Sequence, residues 1–147
     1  MRIAFLFILT AICLTSCKKE YGPKNLEGRW KMTEYYDRSG NTNKSKPATS
    51  PDVFLEFNGN NFKAFSASVQ FCDGTFVLEG DKILFTIPNT NFPITNDLWV
   101  DMFIWAIHSC GLQSTYPCKP STLEWKRSNR IRVNTVLRMD ITLDKVN

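Results

Sequence analysis

From Arg130 to Asp144 apolar and polar residues alternate along the chain. Ile131, Val133, Thr135, Leu137, Met139, Ile141 and Leu143 fill the odd positions. Arg130, Arg132, Asn134, Arg138, Asp140, Thr142 and Asp144 fill the even ones, with Val136 the one break. Side chains on a strand point alternately to its two faces, so this pattern predicts an antiparallel sheet with one dry and one solvated side. The run exceeds an ordinary strand of about 5–6 residues. It predicts either one long bent strand or two strands joined near Asn134. The same rhythm occurs earlier. Trp30, Met32, Glu34 and Tyr36 alternate with Lys31, Thr33, Tyr35 and Asp37, and Leu123 and Trp125 alternate with Glu124 and Lys126 before a Ser128-Asn129 turn.

The middle of the chain predicts short strands and tight turns. Val53 to Asn58 and Phe62 to Gln70 flank Asn58-Gly59-Asn60-Asn61, a strong hairpin signal. Phe71-Cys72-Asp73-Gly74 reads as a further turn, and Gly80-Asp81 joins Thr75–Glu79 to Lys82–Ile87. Ser39 to Asp52 holds Gly, Asn, Pro, Ser and Thr without apolar rhythm, which predicts a long surface loop.

One segment departs from period two. Over 97–109, Leu98, Trp99, Met102, Phe103, Trp105 and Ala106 crowd one face at helical spacing. Asn96 can cap the start, Asp97 and Asp101 suit the positive end, and Gly111 can stop the helix. The rival reading is a buried strand, since Trp, Val, Phe and Ile favour sheets. The capping residues favour the helix. Together these elements predict a mainly β chain: a single antiparallel β-barrel of about eight strands, with one short helix near 97–109. Closure is preferred to an open sandwich because it removes exposed strand edges.

The start of the chain obeys different rules. Met1-Arg2, an apolar run from Ile3 to Leu14 and then Leu14-Thr15-Ser16-Cys17 give the charge, the short greasy core and the small exit residues of a secretory signal. The run is too short for a span, which needs about 20 apolar residues. Cysteine after Leu-Thr-Ser resembles a bacterial lipobox. That resemblance implies cleavage of 1–16, a diacylglyceryl group on the sulfur of Cys17 and further acylation of its amine. More than one acyl chain holds stably to a membrane where a single chain does not. Lys18 stands where some bacteria read an acidic residue as retention in the inner membrane, so the expected address is the outer membrane. Residues 17–25 then form the lipidated cysteine and a polar tether with Gly22-Pro23, and 26–147 form the barrel domain.

Removal of 1–16 from the 147 residues leaves one domain's worth of chain. Loss of Arg2 takes the formal charge from +4 to +3, far from the basic footprint of nucleic-acid binders, and export makes such a partner improbable. After Cys13 leaves with the signal and Cys17 is lipidated, Cys72, Cys110 and Cys118 remain. An oxidising envelope permits one disulfide. Cys110 with Cys118 is the first expectation, because Gly111 and Pro117 favour a turn between them, and pairing of either with Cys72 stays open.

Leu26-Glu27-Gly28-Arg29-Trp30 is similar to the Gly-x-Trp opening of lipocalin-like barrels. The resemblance implies that Gly28 and Trp30 close one barrel end, with the tryptophan under a late-strand arginine. Arg138 is the first candidate for that arginine, and Arg130 and Arg132 share its periodicity. Phe57–Phe62 and Cys72–Phe85 resemble the middle of META-type domains and of small lipocalin-like lipoproteins of Bacteroidetes. The likeness covers 26–87 and, more loosely, the closing strand. Segment 88–121 departs from it, with an apolar helix and a cysteine pair where META domains carry Thr-x-Met-x-Cys and a polar helix. Neither family implies a common reaction.

Candidate chemistry is sparse. His108 is the single histidine, and Ser109 lies too close in sequence to be a natural triad partner. His108, Cys110 and Cys118 would give three metal ligands but no evident fourth, and the envelope oxidises thiols, so neither metal nor cofactor is expected. Glu34 shares the alternating face of Trp30 and Met32. If that face is interior, Glu34 and Tyr36 line a ligand pocket; if it turns outward near the barrel mouth, Glu34 is solvated. Lys126, Arg127, Arg130 and Arg132 cluster around one hairpin, either to meet lipid phosphates or as a plain solvated face. The functional expectation is a non-enzymatic module that binds a small apolar or amphipathic ligand, which a barrel of this size permits. The alternative is a filled barrel that contacts or inhibits an envelope protein. Phe54, Phe57, Phe62, Phe65, Phe76 and Phe85 leave little interior room.

Overall fold

The computed structural model describes residues 23–67, 69–88, 95–108, 120–135 and 139–147. Among these residues nine strands and two helices follow in order: α1 (Pro23–Leu26), β1 (Gly28–Asp37), β2 (Thr42–Ser45), β3 (Val53–Asn58), β4 (Asn61–Ser66), β5 (Val69–Glu79), β6 (Lys82–Thr86), α2 (Leu98–Ile107), β7 (Ser121–Arg127), β8 (Arg130–Asn134) and β9 (Met139–Val146). The strands form one antiparallel sheet that closes where β1 pairs with β9, so β1 and β3–β9 make an eight-strand barrel. The second option for the long alternating run is the one observed. β8 and β9 are separate strands paired from Arg130↔Asp144 to Asn134↔Asp140.

Three expectations need correction. The segment from Ser39 to Asp52 is not all loop. β2 forms within it by pairing Thr42–Ser45 with Asp37–Glu34 of β1, and its four residues are exposed, so apolar rhythm carried no sign of it. Phe71–Gly74 does not turn. β5 runs straight through it, and the bend lies between Ser66 and Val69 instead. Gly74 is there because a Cβ would sit 2.0 Å from the Thr86 carbonyl oxygen, a close crossing of β5 and β6. The helix cap is Asp97, not Asn96: Asp97 Oδ1 accepts from Trp99 N at 2.8 Å and Val100 N at 3.3 Å.

Inward side chains fill the barrel. Trp30, Met32, Leu55, Phe57, Phe62, Phe85, Ile83, Leu123, Ile131 and Leu143 are all at most 2 % exposed. Phe57, Phe76, Phe62 and Phe85 pack edge-on at centroid distances of 4.9 Å in two T-shaped pairs. Phe54 and Phe65 are different. They point outward and stack on each other at 5.4 Å, so four of the six expected phenylalanines fill the interior and two do not.

The barrel wall has one weak seam. β6 and β7 share only Lys82↔Thr122 and Ile83↔Ser121, because the chain leaves the sheet after β6 to make α2.

Candidate functional site

Gly28 and Trp30 stand at the start of β1, near one end of the barrel. Gly28 has φ of +103°, a conformation that L side chains rarely adopt, and a Cβ there would meet Lys145 Cε at 3.4 Å. Trp30 is fully buried. Its Nε1 donates to the Leu26 carbonyl at 2.6 Å, its ring meets Trp125 edge-on at 6.0 Å, and Lys145 Nζ lies 5.5 Å from its centroid. Arg138 lies outside the described residues; among those described, Lys145 of β9 is a cation over Trp30. A signal for it was present. Lys145 continues the odd phase of Ile141 and Leu143, so a charge falls where the rhythm calls for an inward side chain. A shallow open cleft of about 590 Å³ between Glu27, Arg29, Glu56 and Val146 adjoins this end from outside.

α2 stops the other end. Trp99, Phe103, Ala106 and Ile107 are at most 2 % exposed, with Trp99 against Tyr35 at 6.0 Å and Phe103 against Phe71 at 6.3 Å. Ser50 Oγ donates to the capping Asp97 at 3.2 Å, and Thr95 Oγ1 donates to Asp101 at 2.5 Å, so the helix start is tied to the loop before β3. Leu98 and Trp105, one heptad apart, are instead exposed on its outer side. Trp99 Nε1 and Ser121 Oγ are buried without a hydrogen-bond partner among the described residues. His108 ends the helix, its N–H bonded to the Ile104 carbonyl at 2.8 Å. Burial lowers its pKa below the ordinary histidine value, because the imidazolium is the form that loses solvation.

Glu34 and Tyr36 do not share a face with Trp30 and Met32. The β1–β9 register shifts between Met32↔Leu143 and Glu34↔Thr142, so Thr33 is an extra residue. That bulge inverts the alternation: Tyr35 packs toward the core, and Glu34 and Tyr36 turn out over β8 and β9. There Glu34 faces Arg130 at 3.7 Å, and Tyr36 joins a polar network whose centre is Asp140, only 4 % exposed. Arg132 Nη2 lies 3.0 Å and Arg38 Nη2 3.1 Å from its carboxylate, and the Thr135 N–H donates to it at 3.2 Å. The Arg132 guanidinium also lies over the Tyr36 ring at 4.8 Å. Asp140 was legible as a charge beside the basic hairpin, but its burial and the part of Arg38 were not, because alternation marks a polar residue as outward without saying what covers it.

The basic hairpin is largely neutralised. Lys126 pairs with Glu124 at 2.5 Å, Arg132 with Asp140, and Arg130 with Asp144 at 2.9 Å and Glu34 at 3.7 Å. The hydrogen bond from Lys126 holds the Glu124 carboxyl below its usual range. Arg127 alone of the four has no ion-pair partner among the described residues.

Cys72 is a free buried thiol, its pKa pushed up to about 12 by desolvation and then by the Asp73 charge, so it is a poor nucleophile. Cys17, Cys110 and Cys118 lie outside the described residues. Among those described, no three His, Cys, Asp or Glu side chains gather as metal ligands, and no helix is long and apolar enough to cross a membrane.

No family model and no curated protein matches the chain. Solved structures do resemble it. One is a protein from Burkholderia xenovorans, 12 % identical, with a TM-score of 0.56 over 85 % of this chain and 86 % of that one. Another is an uncharacterized protein from Bacteroides eggerthii, 15 % identical, with a TM-score of 0.52 over 82 % of this chain and 99 % of that one. At these identities the likeness is one of fold.

Proposed function

We propose that this chain is an outer-membrane lipoprotein, held by acyl groups on Cys17, whose barrel is a solid scaffold that works by contact with an envelope protein rather than by enclosing a small ligand. The observation that carries the reading is the plug. α2 places Trp99 and Phe103 in the barrel mouth, and Leu26 and Trp30 fill the opposite end, all at most 1 % exposed. A ligand in the interior would have to displace this packing, and protein interiors have the density of organic crystals. The outer side of the same plug offers Leu98 and Trp105, 59 % and 45 % exposed, as an apolar contact. Kinship with lipocalin-like lipoproteins belongs to the same proposal, on the strength of Gly28 and Trp30 at the closed end.

Native mass spectrometry of the chain from residue 18, purified from a bacterial periplasm without denaturant, tests the reading. The bare polypeptide mass is expected. An excess mass that disappears on denaturation would overturn it in favour of an interior ligand.

A further inference from the structure

The outside of the barrel is not uniform. On β8, β9 and the second half of β1 the outward rows are wholly polar: Asn134, Asp140, Tyr36 in one and Arg132, Thr142, Glu34 in the next. On the first half of β1 with β3 and β4 the outward rows read Lys31, Phe54, Phe65 and Arg29, Glu56, Lys63. Two phenylalanines thus sit directly opposite each other on a face that alternation reserves for water. The Arg29 guanidinium lies over both rings, at 5.8 and 5.1 Å. Four cations, Arg29, Lys31, Lys46 and Lys63, surround the pair together with Asp52 and Glu56, and Asp144 and Asp73 stand opposite Lys31 and Lys63 on the flanking strands β9 and β5. Lys63 is exposed and has no ion-pair partner among the described residues. Arg29 and Lys31 hold theirs on the surface, where ion pairs are weak and exchange readily.

The chain itself says which surface meets this face. β1 begins two residues after α1, and the Glu27 carboxylate accepts the Gly59 N–H at the β3–β4 turn. The domain is therefore entered at the foot of this same group of strands. Six residue steps separate Cys17 from Pro23, a reach of at most roughly 20 Å. We infer that the outer face of β1, β3 and β4 lies against the bilayer that carries the Cys17 acyl chains. Phe54 and Phe65 rest at headgroup level, and Arg29, Lys31 and Lys63 face lipid phosphates. Aromatic rings and snorkelling cations are the side chains suited to that layer, and basic residues near an anionic leaflet are attracted to it. This inference rests on the anchoring reading above. It leaves the α2 plug, with Leu98 and Trp105 at the far end of the barrel, free for a protein partner.

Amine acylation of the full lipidated protein, in vesicles of phosphatidylethanolamine and phosphatidylglycerol and in detergent, tests it residue by residue. Lys126, on β7 at the opposite side of the barrel, is the internal reference. Expected are a several-fold loss of Lys63 modification on vesicles with Lys126 unchanged, and recovery of Lys63 at high salt. The double variant F54S/F65S should still float with the vesicles and keep its β circular dichroism while losing the Lys63 protection. Equal or greater protection of Lys126, or no protection in a protein that floats, overturns the inference and leaves anchoring intact. A chain that stays in the supernatant overturns both.

Discussion

Gly74→Ala separates a close strand crossing from a simple turn. In an ordinary strand, alanine for glycine stabilises by about 0.5–1 kcal/mol, since glycine loses more backbone freedom on folding. Here the added Cβ lies 2.0 Å from Thr86 O and 3.1 Å from both Thr86 C and Phe62 Cε1. Contacts under 3.0 Å are essentially never adopted, so β5 and β6 must part by about 1 Å. The Thr75↔Thr86 pair stands next to Gly74 and loses one or two ladder bonds, at about 1 kcal/mol each. Strain in the packed wall beside Phe62 adds about 1–3 kcal/mol. These two effects sum to about 2–5 kcal/mol, and the backbone gain of about 0.5–1 kcal/mol leaves a net loss of about 1–4.5 kcal/mol. In urea, with a slope of about 2 kcal/mol per molar, the unfolding midpoint of the chain from residue 18 should fall by about 0.5–2 M at unchanged slope. A midpoint equal to or above that of the parent chain would refute the close crossing.

Other outcomes follow from the plug and the buried groups. Phe103→Ala should cost about 3–5 kcal/mol in thermal or urea unfolding, because it empties the space against Phe71, whereas Trp105→Ser should cost only about 1 kcal/mol, because 45 % of its surface is already exposed. The folded-state pKa of His108 is lowered, so the unfolded chain binds the extra proton. Stability is then fully present above the ordinary histidine value and declines as pH falls below about 6.5. His108→Gln should flatten that decline in unfolding curves run from pH 7.5 to 5. Cys72, buried with its pKa at about 12, should react with iodoacetamide at pH 8 only in denaturant, and trapping in native buffer would contradict its placement.

Alternation over β1, β7, β8 and β9, with the Asn58–Asn61, Gly80-Asp81 and Ser128-Asn129 turns, was enough to read an antiparallel barrel with one helix, because strand period and turn chemistry are local properties. What residue patterns left open depends on contacts between distant segments. The Thr33 bulge inverts the face of Glu34 and Tyr36, yet it is defined only by register against β9. β2 exists because β1 offers it an edge, and its own residues are all exposed. Gly74 resembles a turn glycine until Thr86 is placed beside it.

The chain by itself therefore determined the fold class, the helix and the inward residues of β7, β8 and β9, since each follows from spacing along one stretch of backbone. Tertiary structure alone decided that α2 lies in the barrel mouth, that Asp140 is held between Arg38 and Arg132, and that Phe54 and Phe65 are outside. Those facts depend on which strands become neighbours and in what register, and a shift of one residue moves every side chain of a strand to its other face.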